Sequence, residues 1–101
     1  METSEPRQFV AEILCPEITE LLDQRLESEA RDALSELLPP ELADVLAGLD
    51  ESHRLSAFRL LPGEMEAEVF PHLPEDLRLE LMGELPRKRL AEILEIGRAH
   101  V

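Results

Sequence analysis

Residues 37–96 read LLPPELADVLAGLDESHRLSAFRLLPGEMEAEVFPHLPEDLRLELMGELPRKRLAEILEI. The stretch divides into lines that each end in Leu followed by Pro or Asp, at Leu38-Pro39, Leu49-Asp50, Leu61-Pro62, Leu73-Pro74 and Leu85-Pro86. The first step is 11 residues and the next three are 12. Apolar columns run through the lines at the same spacing. One is Ala43, Leu55, Ala67, Leu79, Ala91; a second is Val45, Ala57, Val69, Leu81, Ile93; a third is Leu46, Phe58, Phe70, Met82, Leu94. A fixed period in both punctuation and apolar face marks a repeat architecture.

Each line predicts one short helix. Leu42, Val45, Leu46 and Leu49 fall at i, i+3, i+4 and i+7, a single helical stripe. Proline fits the first turn of a helix, where its missing N–H had no partner, and it drives the residue before it out of the helical region. Asp50 replaces proline at the second junction and is expected to cap the following helix. Helices are predicted near 40–48, 51–60, 63–70, 75–84 and 87–96, with Pro71 ending the third by Phe70 and Gly83 tolerated near the end of the fourth. Helices this short are marginal alone and must stack on neighbours. The expected fold is therefore all-α, an α-solenoid of repeats of about 12 residues.

Working outward, residues 1–7 read as a frayed tail and 8–96 as one helical domain. Gln8 to Leu14 predicts a short helix, and Pro16 is expected to start the next, with Ile18, Leu21, Leu22 and Leu26 as its stripe. No Gly or Pro interrupts 17–37, so periodicity alone favours one long helix there. Residues 97–101 resemble the translation of a common sequencing adapter and are expected to be a non-native scar. On that reading the chain is a piece of a longer protein, and helix 87–96 is expected to leave Leu90, Ile93 and Leu94 partly uncovered.

Composition narrows the function. Ten basic residues face 23 acidic ones, a net charge of −13. Nucleic acid and anionic membrane surfaces are thereby disfavoured, since both need a basic face. Without Trp or Tyr there is no stacking platform for bases. No run of 18 apolar residues occurs to span a membrane. The start Met-Glu-Thr-Ser-Glu-Pro lacks the basic and apolar regions of a signal peptide, and the single Cys15 has no partner for an intramolecular disulfide. A cytoplasmic location is expected.

No nucleophile, zinc spacing or phosphate loop occurs, so an enzyme is not expected. Ser52 and His53 are neighbours on a helix and cannot face each other as members of a triad. His53, His72 and His100 show no metal spacing with one another or with Cys15; His53 and His72 read as helix-end or surface residues, and His100 falls in the expected scar. Arg87-Lys88-Arg89 reads as a solvated first turn that could pair with an acidic partner. Asp50, Glu51, Glu75 and Asp76 read as capping or first-turn acids.

Leu49-Asp50-Glu51-Ser52-His53-Arg54-Leu55 running into Phe58-Arg59-Leu60-Leu61-Pro62 resembles the N-terminal cytosolic domain of MgtE magnesium channels. So do Ala67-Glu68-Val69-Phe70 and the run from Leu85-Pro86 to Arg89-Leu90-Ala91-Glu92-Ile93-Leu94. The resemblance covers roughly 17–96. It implies a right-handed superhelix. It also implies a break near 26–28, since the family has a Gly-Asp turn where this chain has Arg25-Leu26. Family members continue into paired cystathionine-β-synthase-type domains, a connecting helix and a pore, which the cytosolic parts close when magnesium is plentiful. Full-length homodimers, and no membrane contact by this segment, are the corresponding expectations. Glu68 matches the acidic residue of the family's Ala-Glu-Val-Leu helix and is the expected Mg2+ ligand, in a site shared with the partner domain. Glu64, one turn earlier, has no such match. Magnesium takes hard oxygen ligands and keeps several waters, so one or two carboxylates from each side are enough. The competing readings are a scaffold like the flagellar motor protein FliG, whose Glu-His-Pro-Gln element is absent, and a generic α-solenoid adaptor.

Overall fold

The computed structural model describes residues 6–99, and the side chains of 10–96. The described residues form seven α-helices and one 3-10 turn, with no strand among them. The helices are α1 (Pro6–Asp23), α2 (Glu27–Ser35), α3 (Pro39–Gly48), α4 (Glu51–Leu60), α5 (Gly63–Val69), α6 (Glu75–Glu84) and α7 (Arg87–Ala99); the 3-10 turn is Phe70–His72, between α5 and α6.

The junction leucines explain the helix boundaries. Leu38, Leu49, Leu61, Leu73 and Leu85 all have extended backbone, with φ between −72° and −87° and ψ between 146° and 156°. Four of them precede proline, which enforces that conformation. Leu49 adopts it before Asp50, whose carboxylate accepts the His53 N–H at 2.9 Å and opens α4 in proline's place. At the start of α3 the Leu38 N–H is satisfied by Glu41 Oε1 at 2.9 Å. Pro71 ends α5 as expected, but the chain tightens into the 3-10 turn instead of leaving the helix outright.

Alternate helices α1, α3, α5 and α7 pack on one another in succession, and α2 and α4 lie against α1. The second apolar column, Val45, Ala57, Val69, Leu81 and Ile93, is buried throughout. So are the junction leucines from Leu49 onward, while Leu38 is 65 % exposed. The other columns are buried unevenly. Leu46 and Phe58 are fully buried and Phe70 is half-buried, but Met82 and Leu94 are exposed; Ala43 and Ala67 are buried, but Leu79 and Ala91 are exposed. Phe58 and Phe70 pack as a tilted pair, with ring centroids 6.3 Å apart. Of the residues expected to be uncovered on α7, Leu94 is exposed and Leu90 half-buried, whereas Ile93 points into the core.

The N-terminal third departs from the sequence reading. Pro16 does not start a helix; α1 runs through it from Pro6, two residues inside the expected tail. Pro16 is exposed, and it has no N–H to give the carbonyl one turn earlier. The helix is held on both sides of it, by Ile18 in the core and by the Cys15 thiol, which donates to the Val45 carbonyl of α3 at 3.2 Å. The break between α1 and α2 lies at 24–26, slightly before the expected 26–28. Arg25 there has φ 62°. Its N–H bonds the Leu22 carbonyl and the Leu26 N–H bonds the Leu21 carbonyl, which together make a Schellman motif. The implied Gly-Asp turn is thus kept with an arginine in the glycine's place. At the other end α7 continues through Gly97 to Ala99, and the remaining residues of the expected scar lie outside the described residues.

Candidate functional site

The short helix α5 carries three glutamates with two different fates. Glu64 and Glu68 are four residues apart, share one face and are exposed. Glu66, between them, turns the other way and is fully buried. Glu68 makes no hydrogen bond or ion pair with any described residue, so its carboxylate is available to an external ligand. Two carboxylates one turn apart can fill two of the six positions around a hydrated Mg2+. Among the described residues no cluster of three or more His, Cys, Asp or Glu side chains is placed to hold a metal ion.

Glu66 was not singled out by the sequence. Its Oε1 pairs with the guanidinium of Arg89 on α7, while Oε2 has no hydrogen-bond partner among the described residues. Burial pushes its carboxyl up to about 7; Arg89 opposes the shift, Glu92 adds to it and Arg59 opposes it. Arg89 also meets Glu92 at 3.3 Å. The basic run 87–89 is therefore not wholly a solvated turn, because Arg89 is the charged tie between α5 and α7.

Two further charged residues hold helix ends. Arg54 is buried and caps α3 from below: its Nε donates to the Leu46 carbonyl at 2.8 Å and Nη2 to the Leu49 carbonyl at 2.5 Å, while Nη1 reaches Glu80 of α6 at 2.6 Å. A cation at the carbonyl end of a helix is favoured by the helix dipole. His53 lies between two acids, Nδ1 at 2.8 Å from Asp50 and Nε2 at 2.7 Å from Asp23 at the end of α1. The bonds to Asp23 and then Asp50 raise its pKa, and the His53 backbone N–H, followed by its ring, lowers that of Asp50. His53 thus ties α1 to α4, and its two ring nitrogens face different acids, an arrangement that does not converge on one ion. Ser52 and His72 are exposed, and His100 lies outside the described residues.

The signal for these buried charges was in the period itself. The column Leu42, Arg54, Glu66, Arg78, Leu90 has leucine at both ends and charge in the middle. Arg78 repeats the role of Arg54, donating to the Leu73 carbonyl at 2.8 Å as Arg54 donates to Leu49, each five residues back. Glu66 cannot donate to Leu61 in the same way, and it takes Arg89 instead.

A family model described as the MgtE intracellular N domain matches residues 37–96. The chain belongs to that family. The matched segment begins just before α3 and ends within α7, so it contains Glu68, Glu66, Arg54 and the whole repeat, with α1 and α2 preceding it. No curated protein and no solved structure matches the chain. Among the described residues of this MgtE N domain, no helix is long and apolar enough to cross a membrane.

Proposed function

We propose that this chain is the magnesium-sensing regulatory domain of a magnesium transporter or channel, acting at the cytosolic face of the membrane and not as an enzyme. The observation that carries the reading is Glu68, exposed on α5 and without a partner among the described residues, inside the segment that matches the family. Its partner is a regulatory domain of the cystathionine-β-synthase type in the same full-length, homodimeric protein.

The mechanism follows from charge. A domain of net charge −13 meets an acidic partner with a repulsion that is weakly screened once water is squeezed from the contact. Mg2+ placed between facing carboxylates turns that repulsion into attraction. Glu68 supplies this domain's carboxylate, and the partner and bound water supply the rest. High magnesium favours the docked state and a closed pore; low magnesium releases the domain. The ion acts only through its preference for the docked arrangement. A near-complete switch needs a preference of about 5.5 kcal/mol, which several weakly held ions supply more readily than one.

The test is limited proteolysis of the full-length protein over a magnesium titration. Protection should rise with magnesium, and Glu68→Ala should move its midpoint to higher concentration. Full protection of that variant at every concentration removes Glu68 from the mechanism. The exposed Leu79 and Met82 on α6 favour a second reading, a protein-interaction scaffold. Protection by the partner domain that is indifferent to magnesium would support it.

A further inference from the structure

The charges of α7 run against its own helix dipole, which favours acids at a helix start and bases at its end. Helices α2 to α6 each carry an acid in the first turn. Helix α7 has none there and opens on Arg87-Lys88-Arg89, the one run of three bases in the sequence. Its acids, Glu92 and Glu95, come later. Arg89 is engaged by Glu66 and Glu92. Arg87, Lys88 and Glu95 are exposed and make no hydrogen bond or ion pair with any described residue.

These side chains are arranged as a stripe. Arg87, Ala91 and Glu95 fall at i, i+4 and i+8, so they share the outer face of α7, opposite the buried Ile93. Leu94, 53 % exposed, flanks the stripe on one side and Lys88 flanks it on the other. The stripe has a base at one end, an acid at the other and a methyl group between them. Its two charges lie about 12 Å apart along the axis, too far to pair within the helix. Turned end for end, the stripe is its own complement.

We propose that two copies of this chain dock antiparallel through α7, about a two-fold axis at Ala91, with Arg87 of each copy on Glu95 of the other. The symmetry forms every contact twice. Ala91 lets the two axes approach to the short end of the usual range of about 8–10 Å. The aliphatic stem of Lys88 lies over Leu94 of the second copy. Each basic helix start also meets the acidic end of its neighbour, which offsets a charge order that the dipole disfavours. Charge singles out a second copy as the occupant. A uniformly acidic partner would leave Glu95 against like charge, and a basic one would do the same to Arg87 and Lys88. Copies of net charge −13 repel over most of their surface, and α7 is where that repulsion is locally reversed. The face lies on α7 and Glu68 on α5, so the docking is independent of the magnesium reading.

The experiment is sedimentation equilibrium of the chain in magnesium-free buffer with about 0.15 M NaCl, where repulsion beyond about 8 Å is screened. One helix face is smaller than the roughly 800 Å² per partner of a stable complex, so the association is weak. The average mass should rise from monomer toward dimer between roughly 10 μM and 1 mM. Arg87→Glu and Glu95→Arg each set like charges together at both contacts and should weaken association at least roughly tenfold. Both side chains are exposed and without partners, so the melting temperature should not fall. Mixed in equal amounts, the two variants should associate again, because the introduced charges face opposite ones at both contacts. A chain carrying both exchanges should dimerise like the original, which keeps the test decisive if one single variant fails to fold. The proposal is overturned by a monomer up to about 1 mM, by dimers that survive either single variant, or by no recovery in both the mixture and the double variant.

Discussion

Arg25 sits at φ 62°, in the left-handed region where a side chain costs about 1–2 kcal/mol. The Schellman bonds of Leu22 and Leu21 hold it there. Glycine at that position removes the clash and adds freedom to the unfolded chain, which offsets part of the gain. Arg25→Gly should therefore stabilise the domain by about 0.5–1 kcal/mol, read as a higher denaturation midpoint in urea; a lower midpoint would show that the arginine side chain contributes more than its backbone costs. Glu66 makes a second residue-scale prediction. Its folded pKa, about 7, lies above the ordinary glutamate value of 4.5. The folded state therefore holds the proton more tightly, and the associated stability is full below 4.5 and is lost as pH rises through 7. His53, also raised, has the same sign: its contribution is present below its ordinary 6.5 and is lost above its folded value. Stability should fall by on the order of 1–2 kcal/mol between about pH 5 and pH 8, and Glu66→Gln should flatten much of that slope. An unchanged slope in Glu66→Gln would mean that the carboxylate ionises as freely inside as outside. These residues were hard to read in sequence because a charge on a helix is ordinarily solvated. Whether Arg54, Glu66 or Arg89 is buried depends on which neighbour supplies the counter-charge, and those neighbours lie 26 residues away for Arg54 and on another helix for Glu66.

At the scale of elements, the repeat made the helices from α3 to α7 legible. Leu-Pro and Leu-Asp punctuate the chain by local sterics and capping, which need no tertiary partner. The expectations for 40–48, 51–60, 75–84 and 87–96 hold at nearly every boundary. Outside the repeat the local rules gave way to packing. Proline in mid-helix ordinarily breaks or kinks it, yet α1 passes through Pro16 because α3 supports it on either side. That support is close at Gly48, where a Cβ would lie 2.7 Å from the Cys15 Sγ. Gly48→Ala must displace the thiol from its bond to the Val45 carbonyl or push α1 from α3. It should cost about 1–3 kcal/mol, the usual range for overpacking. Cys15→Ala in the same chain should recover most of the loss, since it removes the obstructing atom. A double-mutant cycle with no coupling between the two positions would contradict the close approach. The exposed face of α5 that carries Glu64 and Glu68 was legible for the same reason as the helices, because i, i+4 spacing fixes a shared side.

At the scale of the molecule, 23 acids and 10 bases on 101 residues leave a surface that repels itself. Such repulsion disfavours the compact state, and ions weaken it according to ionic strength whatever their identity. The thermal midpoint should therefore rise with NaCl. The telling comparison is with MgCl2 at matched ionic strength. Glu64 and Glu68 offer two carboxylates one turn apart, and no larger cluster of metal-ligating groups stands among the described residues. Mg2+ is reluctant to give up its waters for so few ligands. Any stabilisation beyond screening would have to follow the mass action of a site in the folded chain, growing with the logarithm of magnesium concentration above its dissociation constant. In the shared-site mechanism that term is small for this domain by itself and becomes large only when a partner completes the coordination. The expected result is thus the same rise in the thermal midpoint for both salts, and the same in Glu68→Ala. A markedly larger rise with MgCl2 that Glu68→Ala abolishes would place a complete site on this domain and refute the division of ligands. A larger rise that survives Glu68→Ala would move the site to other carboxylates of the same acidic surface.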